Sequence, residues 1–176
     1  KPKFEAKVVA EVAVFAALSA ALYSIRPFSL PYGGSITLGS MVPVFWISLR
    51  RGVRVGLFTG MVFGIVALPI DVTLLPYSPI VHPVQVLLDY PVAFGLLGLT
   101  GLFKARPLVG VGVSTFCRFL SHFISGVVYW PAFTPEGWNP VAWSIAYNGS
   151  FLLPEFVISA ILIFIIIRRG ILKIYM

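Results

Sequence analysis

The chain has 176 residues, of which 59% are hydrophobic and 11% charged, and its 13 Lys or Arg against 6 Asp or Glu give a formal net charge of +7. A soluble domain of this length has too little interior to hide that much apolar surface. The cations gather at the ends of apolar segments rather than along one face, which argues against nucleic acid as a partner. The single cysteine, Cys117, excludes a disulfide framework and a clustered metal site. No glycine-rich phosphate loop, HExxH pair or nucleophile elbow occurs, so the chain carries no ATP-hydrolysing motif of its own.

A membrane-spanning helix needs roughly 20 apolar residues. In chain order, the apolar runs predict helices over 6–25, 36–49, 53–70, 84–103, 108–130 and 141–167. The second is short for a span and needs tilt, or the loop before it, to cross. Pro27, Pro31, Gly33 and Gly34 break the chain after the first helix. Arg50, Arg51 and Gly52 separate the second from the third, and Pro76, Pro79 and Pro83 fill the loop before the fourth. Pro107 sits where a fifth helix starts, at a position whose missing N–H costs little. Pro131, Pro135, Gly137 and Pro140 mark the last loop. Residues 1–176 therefore read as one domain, an all-α polytopic membrane protein of six transmembrane helices in one bundle. Lys1, Lys3, Lys7, Arg50, Arg51, Arg54, Lys104, Arg106, Arg168, Arg169 and Lys173 all fall on one side of such a bundle. The positive-inside rule then places both termini in the cytoplasm of a multi-pass cell-membrane protein. Tyr32, Tyr77, Tyr129, Trp130 and Trp138 form the aromatic belt at the outer ends.

Two small-residue stripes stand out: Gly56, Gly60 and Gly64 on the third helix, and Ala13, Ala17 and Ala21 on the first. Such spacing lets helices approach closely, either inside the bundle or against another membrane protein.

The costly residues lie inside the apolar runs. At a rise of about 1.5 Å per residue, Asp89, His122, Trp143 and Asn148 share one outer layer on three helices. Polar side chains at membrane depth face a bundle interior or a wet cavity, so these placements predict a ligand pocket in the outer half. Asp89 suits a cationic or amidine-like edge, able to accept two hydrogen bonds from it. Tyr90, Trp130, Trp138, Trp143 and Tyr147, with Tyr129, suit a flat ring or a cation, and Tyr77 joins them as a candidate contact from the loop before the fourth helix. Asn148 and His122 offer polar contacts. Arg118 shares the His122 face and reaches the pocket floor, while its depth also matches Glu155, predicting a structural ion pair. The triplet Asn148-Gly149-Ser150 is a chance glycosylation match inside an apolar run. The residues alone leave three readings open: capture of a small heteroaromatic solute, a membrane enzyme using His122 and Asp89, or a structural subunit in which Asn148 and the aromatics are helix glue and interface anchors.

Several short motifs recur in a telling order: Ser48-Leu49-Arg50-Arg51-Gly52, Leu88-Asp89-Tyr90, Gly98-Leu99-Thr100-Gly101-Leu102-Phe103, His122-Phe123-Ile124-Ser125-Gly126, Tyr129-Trp130, Gly137-Trp138 and Ala146-Tyr147-Asn148-Gly149. In order and spacing the chain resembles the thiamine-specific substrate-binding subunits (S-components) of energy-coupling-factor vitamin transporters, from residue 11 to about residue 167. The resemblance implies a protein, not an enzyme, that captures thiamine from outside the cell as part of an ABC-type transporter. It needs no cofactor, and ATP is used by two separate ATPase subunits joined through a membrane coupling subunit. It points to Asp89, Tyr90, His122, Trp130 and Asn148 as ligand contacts. The coupling-subunit motif carries over to Ala13 and Ala17, with Ala21 continuing the stripe. The chain departs from the family pattern in three places: Asp89 stands for the usual Glu, Trp143 for a Tyr, and the aromatic of the first external loop aligns near Gly34. These departures keep a thiamine precursor or another heteroaromatic vitamin open as the ligand.

Overall fold

A computed structural model describes residues 5–75 and 80–171. Six helices carry the fold among the described residues: α1 (Ala6–Ser24), α2 (Val42–Arg51), α3 (Val53–Leu74), α4 (Pro83–Phe103), α5 (Pro107–Tyr129) and α6 (Pro140–Arg168). Five of them, all but α2, are long and apolar enough to cross a membrane.

The short α2 corrects the expected helix over 36–49. Ser35–Ile36 instead forms a strand, β2, paired antiparallel with β1 (Phe28–Ser29), and the chain then turns through positive-φ Gly39 before Pro43 enters the first turn of α2. Ten helical residues rise only about 15 Å, so the irregular stretch before α2 supplies the rest of that crossing. Its far end is fixed beside the start of α1, where Arg51 donates two hydrogen bonds of 2.7 Å to Glu11 and Arg50 lies 3.7 Å from the same carboxylate.

Helix α3 runs four residues beyond the expected 53–70, and the extension matters because it takes Asp71 into a buried helical position. Its glycines pack inside the bundle. A Cβ at Gly60 would fall on the Phe94 carbonyl of α4, and one at Gly64 on the Tyr90 carbonyl. This close crossing settles the third-helix stripe as internal packing, with the backbones of α3 and α4 in near contact. Val12, Ala16, Ala20 and Tyr23 turn the other face of α1 inward, so Ala13, Ala17 and Ala21 stay exposed.

Helix α4 is irregular. Pro91 lacks an N–H, and its ring conflicts with the carbonyl four residues back. The helix responds over Leu88–Val92 by widening into a π-type turn, in which the Ala93 N–H reaches back to the Leu88 carbonyl. The Ser121 hydroxyl of α5 donates to the same carbonyl at 2.6 Å. Beyond Gly95 the helix tightens to a 3-10 form over Leu96–Phe103.

The core sits between α1, α3 and α4, where Tyr23, Phe63 and Phe94 meet edge to face at 4.5–5.6 Å between ring centres. Arg50, Arg51, Arg54, Lys104 and Arg106 gather at the end where α2 meets α3 and α4 meets α5, because Gly101 packs against Ser48 and Val53. Helix α6 starts beside the end of α5, with Ser144 donating to the Phe123 carbonyl at 3.0 Å, so its Arg168 terminus returns to that same end. The opposite end holds Arg26 and most of the aromatic loops.

Candidate functional site

At the cation-poor end, α1, α3, α4, α5 and α6 and the loop after α1 surround a partly open pocket. Asp89, Tyr90, Arg118, His122, Trp130, Trp143, Tyr147 and Asn148 all line it, so the sequence-predicted layer does converge. Trp138 does not: it is 49% exposed and packs edge to face on Trp143 from outside, at 5.6 Å. The last loop carries it over the outer surface rather than inward. Tyr129 also faces away, stacked on His82 at 5.0 Å. Tyr77 lies outside the described residues.

The π-type turn presents Asp89 and Tyr90 together on the pocket side of α4. Three donors converge on the Asp89 carboxylate: His122 Nδ1 at 3.0 Å on Oδ1, and Gln85 Nε2 at 2.7 Å and Ser125 Oγ at 2.8 Å on Oδ2. The His122 tautomer follows from its other neighbour. Arg118 Nε donates to His122 Nε2 at 3.3 Å, and a guanidinium cannot accept. Nε2 is therefore the unprotonated nitrogen, and the proton on Nδ1 is donated to Asp89. His122 thus orients the acid and offers no free donor to a ligand. Oδ2 of Asp89 thus carries two protein donors and Oδ1 one.

Arg118 is buried, with its guanidinium 4.2 Å from the centre of the Phe94 ring. The expected pair of Arg118 with Glu155 is not a direct contact, because no Arg118 nitrogen comes within 4.0 Å of that carboxylate, although the two opposite charges still attract. Glu155 Oε1 accepts the Thr37 backbone N–H, anchoring the segment between β2 and α2 to α6, and its Oε2 is left without a hydrogen-bond partner among the described residues. Asn148 both ties α6 to α5 and lines the cavity. Its amide donates to the Ser144 carbonyl at 2.9 Å and reaches the His122 carbonyl on α5 at 3.5 Å. It is buried mid-helix, consistent with a chance glycosylation match.

Sequence reasoning missed a second buried acid. Asp71 lines the pocket, forms an ion pair with Arg26 and accepts Tyr23 Oη at 3.1 Å and Tyr90 Oη at 2.8 Å. Arg26 also donates through Nε to the Tyr23 carbonyl at 2.9 Å and lies 4.2 Å over the Tyr23 ring. Ending the third helix at residue 70 made Asp71 look like a loop residue. The signal was present: it is one of only 6 carboxylates, set between apolar neighbours. Gln85, which also lines the pocket, was not singled out either.

Two aromatic groups wall the cavity. Tyr32, Trp130 and Phe133 cluster at 5.0–6.3 Å near the mouth. Trp143, Tyr147 and Phe151 run down α6 at 5.7–5.9 Å. Tyr147 fastens the first loop to that helix, since its hydroxyl accepts the Gly34 N–H at 2.9 Å and donates to the Pro31 carbonyl. Gly34 has no room for a side chain: a Cβ there would lie 2.8 Å from Phe151 and 2.9 Å from the Tyr147 hydroxyl. The first-loop aromatic is Tyr32, which reaches the pocket through a left-handed backbone at φ 67°.

Comparison with known proteins agrees with this architecture. The family described as thiamine transporter protein (Thia_YuaJ) matches residues 9–174. The thiamine transporter ThiT of Bacillus subtilis (strain 168) is 36% identical over 151 residues, covering 77% of this chain and 76% of that protein. The thiamine transporter ThiT of Lacticaseibacillus paracasei is 29% identical, covering 89% of this chain and 84% of that protein. A solved structure of ThiT from Listeria monocytogenes is similar with a TM-score of 0.81 at 25% identity, covering 93% of this chain and 94% of that one. With a pocket at one end of a six-helix membrane bundle and a family match running from α1 past the end of α6, the chain belongs to the thiamine transporter protein family.

Proposed function

We propose that this chain captures thiamine from outside the cell as the substrate-binding subunit of an energy-coupling-factor transporter. The observation that carries the reading is the pocket itself. Two aromatic walls face a space whose polar groups are the acids Asp89 and Asp71, the donor Arg118 and the amide of Asn148. Thiamine is a cationic solute with two flat heteroaromatic rings. Its rings suit stacking on Trp130 and Trp143, and its charge is favoured by carboxylates in a low-dielectric site. No step of covalent chemistry is required, and the relatives carry the name of transporters.

The orientation is part of the same proposal. The cations mark the cytoplasmic end, so both termini are cytoplasmic and the pocket opens outward. ATP is hydrolysed by separate subunits, and the coupling subunit docks on α1 at Ala13, Ala17 and Ala21, whose small side chains stay exposed on the side away from buried Val12, Ala16, Ala20 and Tyr23.

The test is to purify the protein from cells supplied with thiamine, denature it and identify the small molecule released by mass spectrometry. The expected result is about one thiamine per chain. Release of a thiamine precursor or a different heteroaromatic vitamin, with no thiamine, would overturn the choice of ligand, and release of none would overturn capture itself.

A further inference from the structure

We infer that Gln85 is a positioning residue for Asp89, and that together with Ser125 it restricts the acid to reading a single ligand donor through Oδ1. Gln85 is 1% exposed, although it sits only two residues into α4. Its two ends do different work. Oε1 accepts the backbone N–H groups of Val81 at 3.1 Å and His82 at 3.5 Å, which closes the start of α4. Nε2 donates to Asp89 Oδ2 at 2.7 Å, one helical turn further in. The side chain thus bridges the outer loop and the pocket acid.

Counting the acceptor positions on Asp89 gives the consequence. A carboxylate offers about four lone-pair sites. Oδ2 takes Gln85 and Ser125, and Oδ1 takes His122. One site remains, on Oδ1, and its direction is set by the three donors that pin the carboxylate plane. An Asp held in this way cannot swing to grip a ligand edge with both oxygens. The shorter side chain is consistent with this role, because it stays within reach of Gln85 and Ser125 instead of extending into the cavity. Specificity at this point comes from a fixed single acceptor. A ligand with one N–H aimed at Oδ1 is accepted, and a second donor alongside finds no partner.

The inference rests on the thiamine reading for its affinity test, so a ligand-free measurement is paired with it. By calorimetry, Gln85→Ala is expected to weaken thiamine binding about tenfold when Asp89 is present and less than twofold in the Asp89→Ala background. Gln85→Glu should be at least as damaging, since it sets a second carboxylate against Asp89. The double variant Gln85→Glu with Asp89→Asn should recover part of the loss, because the amide then donates in the opposite direction. An equal loss in both Asp89 backgrounds, or no loss with Asp89 present, overturns the inference. Without vitamin, Asp89→Ala should speed amide hydrogen exchange at Val81 and His82, whose N–H groups end on the released Gln85. Unchanged exchange there overturns the bridge, whatever the ligand proves to be. Failure of the unmodified protein to bind thiamine overturns the proposed ligand instead.

Discussion

Asp71 shows how one buried charge in a pocket's lining can tie its walls together. Its carboxylate is shared between Arg26 and the hydroxyls of Tyr23 and Tyr90, so α1, α3 and α4 meet at one atom group. The side chains of Arg26 and Asp71 are only 5% and 4% exposed. Breaking such a pair by removing one partner strands a buried charge and costs roughly 3–5 kcal/mol. Asp71→Ala should therefore lower the unfolding temperature in detergent sharply. The double variant Arg26→Leu with Asp71→Leu should lose much less, because no charge is left alone. Equal losses in the two would contradict the assignment. The contrast with Asp89 explains what was legible. Spacing puts an acid and a histidine on neighbouring helices, Asp89 and His122, in one layer, and there they do meet. Asp71 meets Arg26 across 45 residues of chain, and nothing in periodicity encodes that pairing. For the same reason the depth match of Arg118 and Glu155 misled. Depth fixes height along the bundle but not which neighbour arrives first, and Thr37 reached Glu155.

Among the helices, α4 places the most chemistry. The presence and order of the five long helices could be read from hydrophobic run length, because a span has to satisfy its own backbone within a minimum length. The interior geometry of α4 could not, since a proline inside an apolar run allows a kink, a break or a widened turn. Here Pro91 gives the widened turn that brings Asp89 and Tyr90 onto the cavity together. Pro91→Ala should let the helix close into regular α form, shifting Asp89 relative to His122 and Ser125. The expected outcome is a protein at least as heat-stable as the parent with weaker thiamine binding, measured on the same preparation by thermal unfolding and calorimetry. Undiminished affinity would show that the turn does not position the acid. The short α2 belongs to the same lesson: its apolar run was plain, but the run continues through β2 and the Gly39 turn, whose geometry depends on pairing with β1.

The whole molecule is polar along its axis. Cations and exposed alanines mark one end and one flank, and the aromatic-walled cavity occupies the opposite end. A subunit built this way can fill its pocket independently of what docks on its flank. Ala17→Trp puts a bulky ring on the exposed face of α1 without touching the cavity, and should leave thiamine affinity within twofold while abolishing thiamine uptake by cells that carry the coupling subunits. Uptake at the parent rate would place the docking surface elsewhere. Capture by the cavity comes before any of this, and two of the chain's four tryptophans report on it directly. Trp130 and Trp143 line the pocket, while Trp46 lies on α2 and Trp138 packs outside. Tryptophan emission of the purified protein, titrated with thiamine, should change and saturate at one vitamin per chain, persist in Trp46→Phe, and nearly vanish when Trp130 and Trp143 are both changed to Phe. No change on adding thiamine, or a change that survives the loss of both pocket tryptophans, would contradict the account.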